Sequence, residues 1–238
     1  MGVSSGHEWG RVPFSSLQVE RRSQRTATAV PSGALLMVRS YGVTMWNNLS
    51  WHSPPPLAQE QEDGALEITT GSRTDFWRTT QYGFVRDDGH ALLGMAPPEF
   101  TASVRVQGMY EHLYDQAGLM VRASETQWMK TGVEYVGRQQ WSTVVTHEHS
   151  DWSVLPAADL SEVTFRVIRR GDALIVHARP DRATPWTLLR VAYFPAGLPA
   201  QVGVMACSPE REGFRVTFHD LMITDVDCRP LHELVQPS

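Results

Sequence analysis

The segment Glu162–Pro180, EVTFRVIRRGDALIVHARP, is the clearest β-hairpin in the chain. Val163, Phe165 and Val167 alternate with Thr164, Arg166 and Ile168, the two-residue period of a strand that buries one face. Gly171 and Asp172 supply the turn, and ALIVHA runs back as the second arm of a β-hairpin. The same pattern recurs on both sides. Phe100, Ala102, Val104 and Val106 alternate with polar residues in EFTASVRVQGMY, and Phe214, Val216 and Phe218 share a face in GFRVTFHDLMI. GALEITTG, TDFWRTTQYGFV leading into the RDDGH turn, ALLGMA, WTLLRVAYF and AQVGVMACS add further short runs separated by turn residues. No segment sustains a 3.6-residue apolar stripe beyond two turns. About a dozen short strands at this spacing predict an all-β, two-sheet antiparallel jelly-roll sandwich.

Composition agrees. The 238 residues suit one large all-β domain or at most two small ones, with 42% apolar and 20% charged residues as in an ordinary globular protein. A net charge of −5 gives no global basic field for nucleic acid, so no nucleic-acid partner is expected. Two cysteines, Cys207 and Cys228, form neither a disulfide framework nor a zinc-type spacing, and they predict thiols in a reducing compartment. No apolar run is long enough for a membrane helix, and the N-terminus lacks the apolar core of a signal peptide. The expectation is a cytoplasmic protein without a membrane partner.

Charge divides the chain unevenly. Residues 1–40 hold five arginines and two glutamates, a balance of +3 that leaves −8 for the rest. This Ser/Thr/Arg-rich leader is predicted as a poorly ordered basic extension, with the sandwich over 41–228 and a tail over 229–238. A targeting or acidic-partner arm is the other reading of the leader, and translation beginning at Met37 or Met45 is a third.

Two runs carry charges that a strand buried on both faces would not keep: YDQAGLMVR (114–122) and WMKTGVEYVG (128–137). Strand parity puts Ala117, Leu119 and Val121 in the core and Gln116, Gly118, Met120 and Arg122 on the other face. In the second run Trp128, Lys130, Gly132 and Glu134 oppose Met129, Thr131, Val133 and Tyr135. Paired as neighbours, the strands gather Gln116, Arg122, Trp128, Lys130 and Glu134 on one outward surface, with Gly118 and Gly132 leaving room beside them. Such a surface reads either as a plain solvated face or as the floor of a shallow polar-ligand site. Trp77 and Tyr82 in DFWRTTQYGF, and Trp152 after Asp151, are candidates for ligand stacking and equally for core positions.

Five motifs in this order, TDFWRTTQYGFVRDDGH, YDQAGLMVR, WMKTGVEYVG, STVVTHEHSDWSV and VGVMACSPEREGFRVTF, resemble a small family of concanavalin A-like proteins that includes the yeast regulation-of-enolase protein. The resemblance runs from about Trp46 to Asp220 and leaves residues 1–40 outside. It implies a concanavalin A-like jelly roll and an association with a metabolic enzyme, and it supplies no catalytic residues to carry over.

Glucanases of this fold type carry paired carboxylates as E-x-D-x-E on one strand, and this chain has no E-x-D at all. The cluster THEHSDW places His147, His149 and Asp151 in facial alternation, yet it reads as a strand end and turn, so no metal is expected. There is no G-x-S-x-G elbow, Walker loop or G-x-G-x-x-G. The expectation is therefore a non-catalytic module, with no cofactor. It binds a saccharide or other small polar ligand through Trp77, Tyr82, Gln116, Arg122, Trp128, Lys130, Glu134 and Trp152. A regulatory module acting on a metabolic enzyme is the first alternative. A glycoside hydrolase using Glu134 with a carboxylate from another strand is the second.

Overall fold

The computed structural model describes residues 46–236, so the basic extension expected over 1–40 lies outside the described residues. After a 3-10 turn at Trp46–Asn48 come β1 (Ser50–Trp51), β2 (Leu57–Glu60), β3 (Leu66–Thr69), β4 (Phe76–Arg78), β5 (Val85–Asp87) and β6 (His90–Met95). The chain continues through β7 (Phe100–Gly108), β8 (Gln116–Arg122), β9 (Gln127–Tyr135), β10 (Gln139–His147) and β11 (His149–Pro156). It closes with β12 (Val163–Arg170), β13 (Ala173–Arg179), β14 (Thr187–Tyr193), β15 (Gln201–Cys207) and β16 (Arg215–Thr224).

Two seven-stranded sheets result. One has the order β1-β6-β15-β8-β9-β10-β11 and the other β14-β13-β12-β7-β16-β3-β2, with every pairing antiparallel. This is the jelly-roll sandwich that the alternation predicts. The Glu162–Pro180 hairpin is present as β12–β13, with Val167 opposite Val176. Val163, Phe165 and Val167 enter the main core, where they meet Phe100, Val104 and Val106 of β7 and Phe218 of β16 from their own sheet. Ala117, Leu119, Val121, Met129 and Val133 close that core from the facing sheet. Burying a side chain of this size contributes about 1.5–3 kcal/mol, and this contiguous set fixes the register of both sheets.

Two elements depart from the sequence reading. TDFWRTTQYGFV folds back on itself: β4 and β5 pair as a separate two-stranded hairpin joined by residues 79–84. The expected tail also has a packed portion. Leu234 is fully buried against Ile168 and Ile175 on the outer face of the second sheet, and the Trp186 N–H donates to the Val235 carbonyl at 2.9 Å.

Candidate binding site

Register builds the site. Across β8 and β9, Gln116 faces Glu134, Gly118 faces Gly132, Met120 faces Lys130 and Arg122 faces Trp128. The five predicted side chains therefore share one side of the first sheet, the side away from the main core. β10 and β11 extend that side with Ser142, Val144, Ser150 and Trp152.

The face is not an open trough. The β4–β5 hairpin lies across it and forms a second small core, in which Phe76 packs with Ala91, Leu93, Met120, Trp128, Val144, Met205 and Cys207. Trp128 is fully buried there, with its ring 6.0 Å from that of Phe76. Arg122 is neutralised by Asp87 of β5 through two hydrogen bonds of 2.7 Å. Trp128 and Arg122 are thus corrected: one is core and the other staples the hairpin. The physical reason is plain. A guanidinium and an indole facing away from the sandwich need a partner and a cover, and the aromatic hairpin with its flanking acids provides both.

The role expected for the two glycines is corrected too. A Cβ at Gly118 would stand 1.9 Å from the Thr131 carbonyl oxygen, and one at Gly132 would stand 2.0 Å from that of Ala117. These glycines permit close approach of two backbones and do not leave room for a ligand.

Beyond the hairpin neck a cavity of about 230 Å³ remains. Its walls are Trp77, Tyr82, Phe84, Tyr114, Val144 and Trp152, and its polar groups come from Asp75, Gln116, Lys130, Glu134 and Glu210. Six of the eight predicted residues line this one space: Trp77, Tyr82, Gln116, Lys130, Glu134 and Trp152. The sequence reading missed Asp75, Phe84, Tyr114 and Glu210. For Asp75 a signal existed, since an ammonium on a central strand requires an acid and TDFW opens with one.

Asp75 organises the polar floor. Asp75 Oδ1 accepts from Lys130 Nζ at 3.0 Å, from Gln116 Nε2 at 3.3 Å and from the Phe76 N–H at 2.7 Å. Burial alone would lower the Lys130 pKa, but Asp75 and Glu134 outweigh it and raise it, so the ammonium stays charged. Glu134 is left with neutral donors: Trp152 Nε1 reaches its Oε2 at 3.2 Å and also donates to Ser142 Oγ at 3.0 Å. Burial pushes the Glu134 carboxyl above its usual range, and Lys130, already held by Asp75, only partly counters this.

Aromatic rings form the rim. Trp77 meets Tyr82 edge-on at 5.6 Å and Trp152 at 6.4 Å, while Tyr82 stacks on Phe84 at 5.6 Å. Trp77 is pinned by its Nε1 bond to the Thr80 carbonyl, whereas Tyr82, Phe84 and Trp152 are 52%, 43% and 38% exposed. A second depression of about 510 Å³, lined also by Thr80, Gln81, His149, Ser150 and Asp151, shares Trp77, Tyr82 and Trp152. Aromatic surface therefore faces two adjoining spaces. The loop that presents it is strained: Thr79 and Gln81 hold φ of 62° and 65°, and Tyr114 at the cavity edge holds 65°. Each such residue costs on the order of 1–3 kcal/mol, and outliers of this kind gather at binding sites.

THEHSDW forms the β10–β11 turn, with Glu148 at φ 62°. Asp151 pairs with Arg190 at 2.7 Å, and His147 Nε2 bonds the Tyr193 carbonyl at 2.9 Å. Among the described residues no group of His, Cys, Asp and Glu is placed to hold a metal ion. Among those residues, too, no helix is long and apolar enough to cross a membrane.

Fold and site together define a concanavalin A-like β-sandwich with an aromatic–polar cavity on the outer face of one sheet. The family described as "Protein of unknown function (DUF1349)" matches residues 51–226, and the chain belongs to it. "Regulation of enolase protein 1" of Saccharomyces cerevisiae is 42% identical over 181 residues, covering 75% of this chain and 91% of that protein. The crystal structure of a functionally unknown protein from the same yeast superposes with a TM-score of 0.73 at 41% identity, over 76% of this chain and 98% of that one. The GH43 protein BlXynB from Bacillus licheniformis gives 0.58 at 13% identity, over 78% of this chain and 38% of that one, a likeness of fold alone.

Proposed function

We propose that this chain binds a saccharide, without cleaving it, in the cavity between the β4–β5 hairpin and β8–β11. The carrying observation is an exposed aromatic rim of Tyr82, Phe84 and Trp152 above Gln116, Lys130, Glu134 and Asp75. Apolar faces of sugar rings stack on indole and phenol rings, and the hydroxyls bond the polar floor. The two adjoining depressions suit a ligand of more than one ring. Cleavage would need a second carboxylate free to act with Glu134. Of the two other carboxylates in the cavity lining, Asp75 and Glu210, Asp75 has one oxygen occupied by Lys130, Gln116 and a backbone N–H. A glycan array should show a defined set of saccharides retained by the wild type and lost on Trp152→Ala. Retention of none would overturn the reading.

A regulatory role toward a metabolic enzyme is a second reading, favoured by the 42% identical yeast protein whose name is "Regulation of enolase protein 1". Its test is whether the full chain retains enolase on a column, with and without saccharide. A cytoplasmic setting belongs to the same proposal, supported by the two unpaired thiols, Cys207 and Cys228.

A further inference from the structure

On the outer face of the second sheet, a cavity of about 370 Å³ opens between β7, β12, β13 and the bulge of β16. Four of its lining residues are arginines, Arg105, Arg166, Arg179 and Arg182, and one is an acid, Asp220. In a chain of net charge −5 this is a local inversion of sign. The counter-charges are unevenly shared. Arg105 takes Glu162 at 2.8 Å and Asp220 at 3.3 Å, and Asp220 also reaches Arg182 at 3.5 Å. Arg166 and Arg179 pair with no carboxylate among the described residues. Their hydrogen bonds go to the carbonyls of Leu234 and Arg182, and the Nε of each is buried without a partner.

Both guanidiniums are nonetheless held in place. The indole of Trp186 lies 4.2 Å from the Arg166 guanidinium and 4.1 Å from that of Arg179. Crowded positive charge and burial both work against the charged forms. Burial first, with Arg229 and then Arg179 adding to it against the opposing charge of Asp227, lowers Arg166 to about 10; burial and Arg182, opposed by Asp181, lower Arg179. Unpaired, pre-positioned guanidiniums beside the hydroxyls of Ser103 and Thr164 present N–H forks and donors to one space. A planar fork of this kind matches the oxygens of a phosphate bidentately. The indole is already covered by guanidinium, so the cavity recognises charge, not an aromatic base.

We infer that this cavity is a binding site for a phosphoryl group, carried by a small phosphate monoester or by free phosphate, held by Arg166, Arg179 and Arg182. It stands apart from the saccharide pocket, which lies on the other sheet, and does not depend on it.

The test is calorimetric titration of the full chain with glycerol 3-phosphate, inorganic phosphate and glycerol. The expected result is saturable binding of the phosphates, weakened by added salt, and no heat with glycerol. Tighter binding of the ester assigns the site to phosphorylated small molecules, and equal binding assigns it to free phosphate. Arg179→Gln should weaken affinity at least tenfold. Modification of Arg179 and Arg182 by phenylglyoxal in the wild type, read by mass spectrometry, should be slowed by glycerol 3-phosphate and not by glycerol. That second measurement needs no variant to fold. Absence of binding at millimolar phosphate, or unprotected arginines, would overturn the inference, as would unchanged affinity in a folded Arg179→Gln protein.

Discussion

At Glu134 a carboxyl sits in a cavity floor whose cation belongs to another acid. Lys130 Nζ is bonded to Asp75, and the Trp152 indole N–H donates to Glu134. The folded state therefore holds the Glu134 proton more tightly than the unfolded chain does. Stability from that proton is complete below the ordinary value of 4.5 and is lost as pH rises through the higher folded value. Glu134→Gln, neutral at every pH, should gain stability relative to wild type from pH 4.5 upward. Urea midpoints across pH would show it, and a variant profile parallel to wild type would contradict the burial argument. Strand parity alone brought Gln116, Lys130 and Glu134 together, because alternation is a local rule. It does not reveal which acid a lysine will choose: Asp75 lies 55 positions away in sequence.

The β4–β5 hairpin is the element that turns a flat sheet face into a cavity. Two ion pairs fasten it, Arg122 with Asp87 and Lys130 with Asp75, and Phe76 packs beneath it. Asp87→Ala strands the nearly buried Arg122 and should cost about 3–5 kcal/mol in urea unfolding. Adding Arg122→Met should recover most of that loss. A single variant within about 0.5 kcal/mol of wild type would mean the staple is merely superficial. One layer down, Gly118→Ala should cost about 1–3 kcal/mol or more, since its methyl meets a neighbouring carbonyl and no flexible side chain. TDFWRTTQYGFV reads as a strand because aromatic and β-branched residues favour extended backbone. Its fold-back depends on Thr79 and Gln81 at positive φ, which residue type does not signal.

For the whole molecule, the sandwich was legible because the core residues of strand after strand obey a two-residue period, and two facing sheets bury them together. The packed C-terminal end and the arginine cavity were not, because both depend on what meets the outer face of a sheet. That face also sets an acid limit. His177 is fully buried with neither ring nitrogen bonded, and burial, reinforced by Arg166, lowers it to about 3. Its contribution to stability is present above pH 6.5 and lost as pH falls toward 3. His177→Phe should flatten the stability profile in that window, measured by thermal unfolding. An unchanged acid slope would place the sensitivity elsewhere.

The proposed saccharide site consists of the aromatic rim and the Glu134 floor. Calorimetric titration of saccharides retained by the wild type, repeated with Trp152→Ala, is the decisive experiment. The predicted result is at least about a tenfold loss of affinity, a change of about 1.4 kcal/mol, in a variant that still unfolds cooperatively. Equal affinity in the two proteins, or no heat from any saccharide with the wild type, would contradict it.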